Sequence, residues 1–160
     1  YFLQFGYPGE SWRDIQSTIK LVRDTRPDDI GVSVSYPLPG TKFFERVQAQ
    51  LGDKTNWSDS EDLSMMFQGA YTNEFYRALH DALHAQVDCW NSSSWMGAGQ
   101  KEQRKGGEPE ELWKRVMELE RSCRNPRPTT LNIFPGEQLA QLPARVYATS
   151  FEELLAVLAG

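Results

Sequence analysis

The chain has 160 residues, of which 39% are hydrophobic and 24% charged, a composition typical of a globular protein with one domain of ordinary size. Its net charge of −5 argues against a surface that follows nucleic-acid phosphates. No apolar run approaches the roughly 18 residues that are needed to cross a bilayer. We therefore expect a soluble, cytoplasmic protein that has no nucleic-acid partner and no membrane span.

The first residues, Tyr1 to Phe5, form a short aromatic run that predicts a buried strand, with Gln4 as its one polar side chain. The run lacks the positive flank and the small-residue cleavage site of a signal peptide. Because the chain opens inside a strand and without a Met, we expect it to be part of a longer protein.

A helix is predicted directly after this strand. Ser11 stands three residues before Asp14, a pattern in which the hydroxyl and the carboxylate satisfy free backbone donors at a helix start. Apolar residues then recur at spacings of three and four, and the run ends at Arg26-Pro27. These signals predict a helix from Trp12 to Thr25.

A second strand is predicted from Ile30 to Tyr36, where apolar and small polar residues alternate strictly. Gly31, Ser33 and Ser35 share one face of it. A parallel strand is normally covered on both faces, so this polar face would line a cavity that holds water or a ligand. The other possibility is an edge strand with one solvated face.

Each predicted strand is followed by a Pro-Gly loop and then by a helix signal. The loops are Gly6-Tyr7-Pro8-Gly9-Glu10 and Tyr36-Pro37-Leu38-Pro39-Gly40, and Thr41 can cap a helix that Gly52 ends. This βαβα order predicts an α/β fold with adjacent parallel strands. Both loops then lie at the carboxyl edge of the sheet, where parallel α/β sheets and barrels bind ligands.

The remainder of the chain has mostly helical signals. A helix is predicted from Asn73 to Asp88, and its apolar spacing gives a buried side of Phe75, Tyr76, Leu79, Leu83 and Val87. Residues 89–108 have the composition of a flexible linker. Another helix is predicted from Pro109 to Arg124, where Leu112, Val116 and Leu119 form an apolar repeat. A brief strand at 130–134 and a helix at 151–158 follow. We therefore divide the chain into an α/β part (1–88), a linker (89–108) and a helical extension with a short strand (109–160).

The Gly6–Glu10 loop has the glycines of a ligand-binding loop but not the residues of a phosphate site. Glycines let backbone amides approach a ligand above a helix N-terminus. The loop has no Gly-Lys-Ser/Thr sequence, and the Glu10 carboxylate would repel phosphate. Glu10 would instead accept hydrogen bonds from hydroxyl or ammonium groups, unless the segment is a plain turn with a carboxylate beside a helix N-terminus.

The signals for metal ligands and nucleophiles are weak. His80 and His84 have a spacing that can hold zinc, but no third ligand and no intervening acid accompany them, so surface or packing roles are expected. The two cysteines, Cys89 and Cys123, are too few for an iron–sulfur loop. We expect reduced thiols, with a disulfide as the alternative. We assign no metal ligand and no catalytic residue in this chain.

The two loops and their surroundings resemble a known family. Residues 1–88 are similar to the last part of the catalytic domain of radical S-adenosylmethionine enzymes. The subgroup is the one with an N-terminal cobalamin-binding domain, which includes the anaerobic magnesium-protoporphyrin ester cyclase. The segments that carry the similarity are Phe2–Glu10, Pro27–Thr41, Trp57, Asp62–Leu63, Met66–Phe67 and Phe75–His80.

The resemblance implies an architecture and a site. The fold would be the C-terminal βαβα piece of a partial (β/α)6 TIM-like barrel, containing its fifth and sixth strands, followed by a mostly helical extension. The loops after these strands would surround the adenine and ribose of S-adenosylmethionine. At the position of Gln4 the family pattern has Ile. The residues that the resemblance assigns to this cofactor are Gln4, Gly6, Tyr7, Gly9, Glu10, Ser33, Ser35, Tyr36 and Pro37.

The same resemblance implies components that these 160 residues do not contain. The family holds a [4Fe-4S] cluster on a three-cysteine loop, which this sequence lacks. We expect the upstream part of the same parent chain to provide the cluster and the cobalamin. The reaction would be radical chemistry or cobalamin-assisted methyl or alkyl transfer on a small molecule, and the 160 residues alone would be inactive. The alternative is a small non-catalytic α/β binding or interaction module that a partner chain completes.

Overall fold

Two β-strands and four α-helices form in the residues that the computed structural model describes, which are 1–52, 63–95, 108–126 and 128. In chain order they are β1 (Phe2–Phe5), α1 (Trp12–Thr25), β2 (Gly31–Val34), α2 (Lys42–Leu51), α3 (Asn73–Trp95) and α4 (Pro109–Ser122). The fold is therefore mixed α/β. The strand expected at 130–134, the helix expected at 151–158 and residues 96–107 of the expected linker lie outside the described residues.

The two strands pair in parallel and form one two-stranded sheet. Phe2 lies opposite Gly31, and Phe5 lies opposite Val34. Because α1 connects the strands, this confirms the predicted pair of adjacent parallel strands joined by a helix over Trp12–Thr25. Strand β2 is shorter than the alternating run at 30–36 that predicted it. The further strands of a partial barrel remain a prediction.

One face of the sheet belongs to the hydrophobic core. Leu3, Phe5 and Val34 are buried there, in the same cluster as Ile15 and Ile19 of α1. Burial of each large apolar side chain contributes about 1.5–3 kcal/mol. The apolar spacing that predicted α1 is therefore also the face that holds this helix in the core.

At the start of α1, the Asp14 carboxylate makes the hydrogen bond to the backbone that the sequence predicts. The carboxylate of Asp14 accepts from the N–H of Ser11 at 2.8 Å and from the Ser11 hydroxyl at 2.7 Å. At the other end, Arg26 adopts a left-handed backbone with φ of 41°, and its N–H donates to the Val22 carbonyl at 2.9 Å. Both ends of α1 therefore agree with the sequence signals.

Both Pro-Gly loops contain the same tight turn. The N–H of Glu10 donates to the carbonyl of Tyr7 at 2.9 Å, and the second loop has the equivalent bond at 3.2 Å. Gly9 and Gly40 have φ values of 94° and 83°. Each follows a proline, and a proline followed by a glycine with positive φ is the signature of a type II turn. The repeated sequence thus has a common structural cause.

Replacing Gly9 or Gly40 with alanine is expected to lower the free energy of unfolding by about 1–2 kcal/mol. The cause would be the positive φ alone, because a Cβ at either position would meet no atom within 4 Å. Asparagine tolerates the left-handed region better than alanine, so the asparagine variants are the matched controls and should cost less. Urea denaturation measures the difference, and equal losses for the two side chains would contradict this explanation.

Helices α2 and α3 begin where they were predicted. The Thr41 hydroxyl accepts a hydrogen bond from the N–H of Phe44 at 3.1 Å, which caps α2. The predicted buried face of α3 is confirmed at Phe75, Tyr76, Leu79, Leu83 and Val87. This helix continues past its expected end at Asp88 to Trp95. Residues 91–94 extend it although their side chains favour turns, because no Gly or Pro interrupts the backbone there.

Helix α4 shares the hydrophobic core with α3. Its buried apolar residues are Trp113, Val116 and Met117. Of the apolar repeat that predicted this helix, Val116 is fully buried, and Leu112 and Leu119 are partly buried against the core. The helix ends at Ser122, just before the predicted end at 124. None of the helices in the described ranges is both long and apolar enough to cross a membrane.

A buried carboxylate fixes the end of α4 beside the segment that precedes α3. The Tyr71 hydroxyl donates to Oε1 of Glu120 at 3.1 Å, and the same carboxylate pairs with Arg124. Tyr71 and Arg124 also form an antiparallel backbone bridge. Burial, together with the nearby Glu120 charge, raises the pKa of Tyr71, so its hydroxyl remains a neutral donor. These contacts therefore join the C-terminal end of α4 to the segment before α3.

Candidate ligand site at the carboxyl edge of the sheet

The loops after β1 and β2 lie at the same edge of the sheet, because the two strands are parallel. The first loop, Gly6–Glu10, leads into α1, and the second leads into α2. The Tyr7 ring contacts Phe43 near the start of α2, with centroids 5.5 Å apart. Phe43 packs edge-on against Phe67 at 5.1 Å. The first loop is thus in contact with the helix that follows the second loop.

Gly6 is held in place by its backbone conformation and by close packing. Its φ is 74°, and a Cβ at this position would lie 2.7 Å from the sulfur of the buried Met65. The sequence predicted that a glycine here lets the backbone approach a ligand. The structure shows that it also lets the backbone approach the protein's own core.

The Glu10 carboxylate folds back onto the start of its own loop. Its Oε2 accepts the N–H of Gly6 at 2.9 Å and the hydroxyl of Tyr76 at 3.2 Å. Burial raises the pKa of Glu10 to about 7, although both hydrogen bonds oppose the rise. Near neutral pH the group therefore exists as a carboxylate, which only accepts, and as an acid, which can also donate. The expected acceptor role is present, but the hydroxyl that it binds belongs to this chain.

Ser35 has an unsatisfied polar group at the end of β2. The residue is 2% exposed, and its N–H donates to the Phe5 carbonyl at 2.7 Å. In the part of the chain that the structure describes, its Oγ is the one buried side-chain polar atom without a hydrogen-bond partner. An unpaired buried polar group costs about 1–3 kcal/mol. A ligand atom that pairs with this hydroxyl would therefore bind favourably.

The second face of the sheet is open in the described part of the chain. Phe2 is 99% exposed, and Gln4 and Ser33, which lie opposite each other in the register, are also exposed. The Phe2 ring covers Gly31, where a Cβ would lie 2.9 Å from the ring. This agrees with the edge-strand interpretation of the polar row. Only Ser35 of that row is enclosed.

The other predicted site residues surround these groups without forming a closed site. Tyr36 is half-buried against the core, Pro37 is buried, and Tyr7 and Gly9 are exposed. Of the nine residues, the structure joins Gly6 to Glu10 by a hydrogen bond and Gln4 to Ser33 by strand register.

The sequence did not indicate that Tyr76 and Met65 belong to the site, although both contact the first loop. The helical spacing indicated correctly that Tyr76 faces the core. Spacing cannot show which carboxylate a buried hydroxyl reaches when the two residues are 66 positions apart. Only the packing of α3 beneath the loop reveals this contact.

The histidines and Cys89 lie on α3, and Cys123 directly follows α4. The rings of His80 and His84 are 4.3 Å apart on α3, and His80 Nδ1 is 3.0 Å from the Asp81 carboxylate. Partial burial and the neighbouring His80 lower the pKa of His84. Within the described ranges, no three His, Cys, Asp or Glu side chains are grouped to hold a metal ion. Cys89 and Cys123 are thiols and are not joined in a disulfide.

Comparison with known proteins adds no assignment. No family model, curated protein or solved structure matches this chain. The remaining indications of function are the geometry of the two loops and the resemblance of their sequences.

Proposed function

We propose that this chain is the C-terminal part of a radical S-adenosylmethionine barrel and forms the adenosine side of its S-adenosylmethionine site. The observation that carries the proposal is the buried Ser35 hydroxyl, which has no partner among the described residues. This hydroxyl follows β2 at the carboxyl edge of a parallel sheet, where α/β proteins bind ligands. A polar atom of the adenosine would satisfy it.

The open face of the sheet supports the same proposal. In a barrel, the strand face opposite the helices points to the interior. In this chain one face of the sheet is buried in the core, and the other face has Phe2, Gln4 and Ser33 exposed. Further strands from an upstream part of the parent chain would close this face and cover the Phe2 ring.

The residues of the two loops would have different roles in the site. Gly9 is exposed with φ of 94°, so its backbone can be approached by a ligand without a Cβ in the way. Ser35 would donate or accept a hydrogen bond, and the half-buried Tyr36 and the buried Pro37 would provide apolar surface for the adenine ring. Gln4 and Ser33 would line the same side.

The iron–sulfur cluster of the family does not fit the residues of this chain. The chain has two cysteines, Cys89 within α3 and Cys123 directly after α4, and neither lies in a three-cysteine loop. Cysteine thiolates are the ligands that such clusters require. We therefore assign this chain only the binding and orientation of the adenosine. The cluster, the cobalamin and the small-molecule substrate would be held by the upstream segment.

Replacing Ser35 with alanine is expected to weaken S-adenosylmethionine binding about tenfold, the effect of losing one hydrogen bond at a buried hydroxyl. Without ligand, the same change should leave the free energy of unfolding equal or higher, because it removes an unpaired polar atom. Calorimetric titration of the full-length protein and NMR titration of the 160-residue chain measure the binding. Ser17→Ala is the matched control, since it removes an exposed hydroxyl on α1 that donates to the Arg13 carbonyl.

Two outcomes would contradict the proposal. Equal affinities of Ser35→Ala and Ser17→Ala would remove Ser35 from the site. No response to S-adenosylmethionine in either preparation would favour the non-catalytic module instead.

Anaerobic reconstitution with iron and sulfide is expected to leave the 160-residue chain colourless, and a bound cluster would show that the interpretation of the cysteines is wrong.

A further inference from the structure

The first loop is supported from below by a tyrosine of α3. The Tyr76 ring is 1% exposed and packs against Phe75 at 5.4 Å and Tyr71 at 6.2 Å between centroids. With its ring fixed on both sides, the hydroxyl has a defined position. It donates to Oε2 of Glu10 at 3.2 Å.

One carboxylate oxygen connects this tyrosine to both ends of the loop. Oε2 of Glu10 also accepts the N–H of Gly6, at 2.9 Å, so the last residue of the loop is tied to the first. A Cβ on Gly6 would lie 3.4 Å from the Tyr76 ring, which places that ring directly beneath the start of the loop. Both ends of the loop thus meet at Oε2 of Glu10. Among the described residues, the one side-chain donor to this oxygen is the Tyr76 hydroxyl of α3.

We infer that Tyr76 is a positioning residue that sets the conformation of the Gly6–Glu10 loop through Glu10. It would contribute to S-adenosylmethionine affinity without contacting the cofactor, and this part of the inference rests on the proposed function. Burial of the carboxylate makes the contact important, because a buried carboxylate oxygen that loses a donor is poorly compensated. The titratable groups that face Glu10 are Tyr76 from α3 and Asp14 from α1.

The chain offers a matched control for this tyrosine. Tyr71 is also buried, also has a ring contact with Phe75, and also donates its hydroxyl to a carboxylate, that of Glu120. Tyr71→Phe therefore removes the same chemical group at a similar depth and keeps the ring, but the hydroxyl that it removes bonds Glu120 and not the loop. A purely structural role of Tyr76 predicts the same result for both variants.

The test compares Tyr76→Phe with Tyr71→Phe in the 160-residue chain by NMR. In Tyr76→Phe, hydrogen exchange at the Gly6 N–H should be about tenfold faster, because the acceptor of that N–H is no longer held. The pKa of Glu10 should rise further, because a hydrogen bond that lowers it is lost. In Tyr71→Phe both values should stay as in wild type. Equal changes in the two variants would overturn the inference.

Binding separates this inference from the proposed function. If wild type responds to S-adenosylmethionine and Tyr76→Phe binds it equally well, the positioning role in binding fails and the proposed function stands. If wild type does not respond but Gly6 exchange changes only in Tyr76→Phe, the proposed function fails and the positioning role stands. Should Tyr76→Phe not fold, Glu10→Ala breaks the same bridge from the loop side. Slow Gly6 exchange in that variant would then overturn the inference.

Discussion

Trp113→Ala is expected to lower the free energy of unfolding by about 3–5 kcal/mol, the usual cost of removing a large buried aromatic side chain. Trp113 is 1% exposed in the core that α3 and α4 share, and its indole N–H donates to Oε1 of Gln86 on α3 at 3.3 Å. Small proteins are stable by only about 5–15 kcal/mol in total. We therefore expect α4 to lose its fixed position against α3 in this variant.

Leu112→Ala is the matched control for this change. Leu112 belongs to the apolar repeat that predicted α4, and it is only partly buried against the core, whereas Trp113 is fully buried. Urea denaturation followed by far-ultraviolet circular dichroism should show a much smaller loss for Leu112→Ala. A loss at Leu112 equal to or larger than that at Trp113 would contradict the observed packing of α4.

Glu10→Gln is expected to remove a pH dependence of stability that the wild-type chain shows between about pH 4.5 and 7. Burial raises the pKa of Glu10 from 4.5 to about 7 in the folded state. The folded state thus binds this proton more tightly than the unfolded state. The stability that this bound proton contributes is therefore fully present below pH 4.5, and it is lost as the pH rises through 7. A shift of this size corresponds to at most about 3 kcal/mol.

The glutamine variant should keep the local structure, because its amide oxygen can accept from Gly6 and Tyr76 as the carboxylate does. At pH 8 it should be more stable than wild type, and at pH 4.5 similar to it. Urea denaturation from pH 4 to 8 measures the difference between the two proteins. The comparison must be made between variants, since the lowered pKa of His84 contributes a slope of the opposite sign.

Asp24→Asn provides the control for the loss of a carboxylate. Asp24 is exposed and pairs with Lys20 and Arg23, which lower its pKa. Its removal should leave the slope between pH 5 and 8 unchanged. If Glu10→Gln retains the wild-type slope in that window, the carboxyl group does not titrate near neutrality, and its burial in the loop is less complete than the structure indicates.

The two functional ideas place different demands on the same loop. The proposed adenosine site requires an accessible backbone at Gly9 and a ligand for the Ser35 hydroxyl. The positioning role requires that both ends of the loop, Gly6 and Glu10, remain fixed on Tyr76. The turn at Gly9 is therefore available for binding while both ends of the loop are anchored, an arrangement that limits how much the loop must reorder when a ligand binds.

The sequence alone was sufficient for the features that depend on neighbouring residues. The Ser11–Asp14 pair, the Thr41 cap and the two Pro-Gly turns each act within a few residues, so their structure follows from local backbone geometry. The parallel pairing of β1 and β2 was also predictable, because a helix between two strands strongly favours a parallel crossover.

Tertiary packing decided what local patterns leave open. The apolar repeat that predicted α4 did not include Trp113, which is fully buried in the core, whereas Leu112 of that repeat is only partly buried. The predicted linker began at residue 89, yet α3 includes residues 89–95. The contact of Tyr76 with Glu10 and the isolation of the Ser35 hydroxyl depend on which distant segments meet. Periodicity identifies a buried face, but the partners of a buried polar group are determined only by the folded chain.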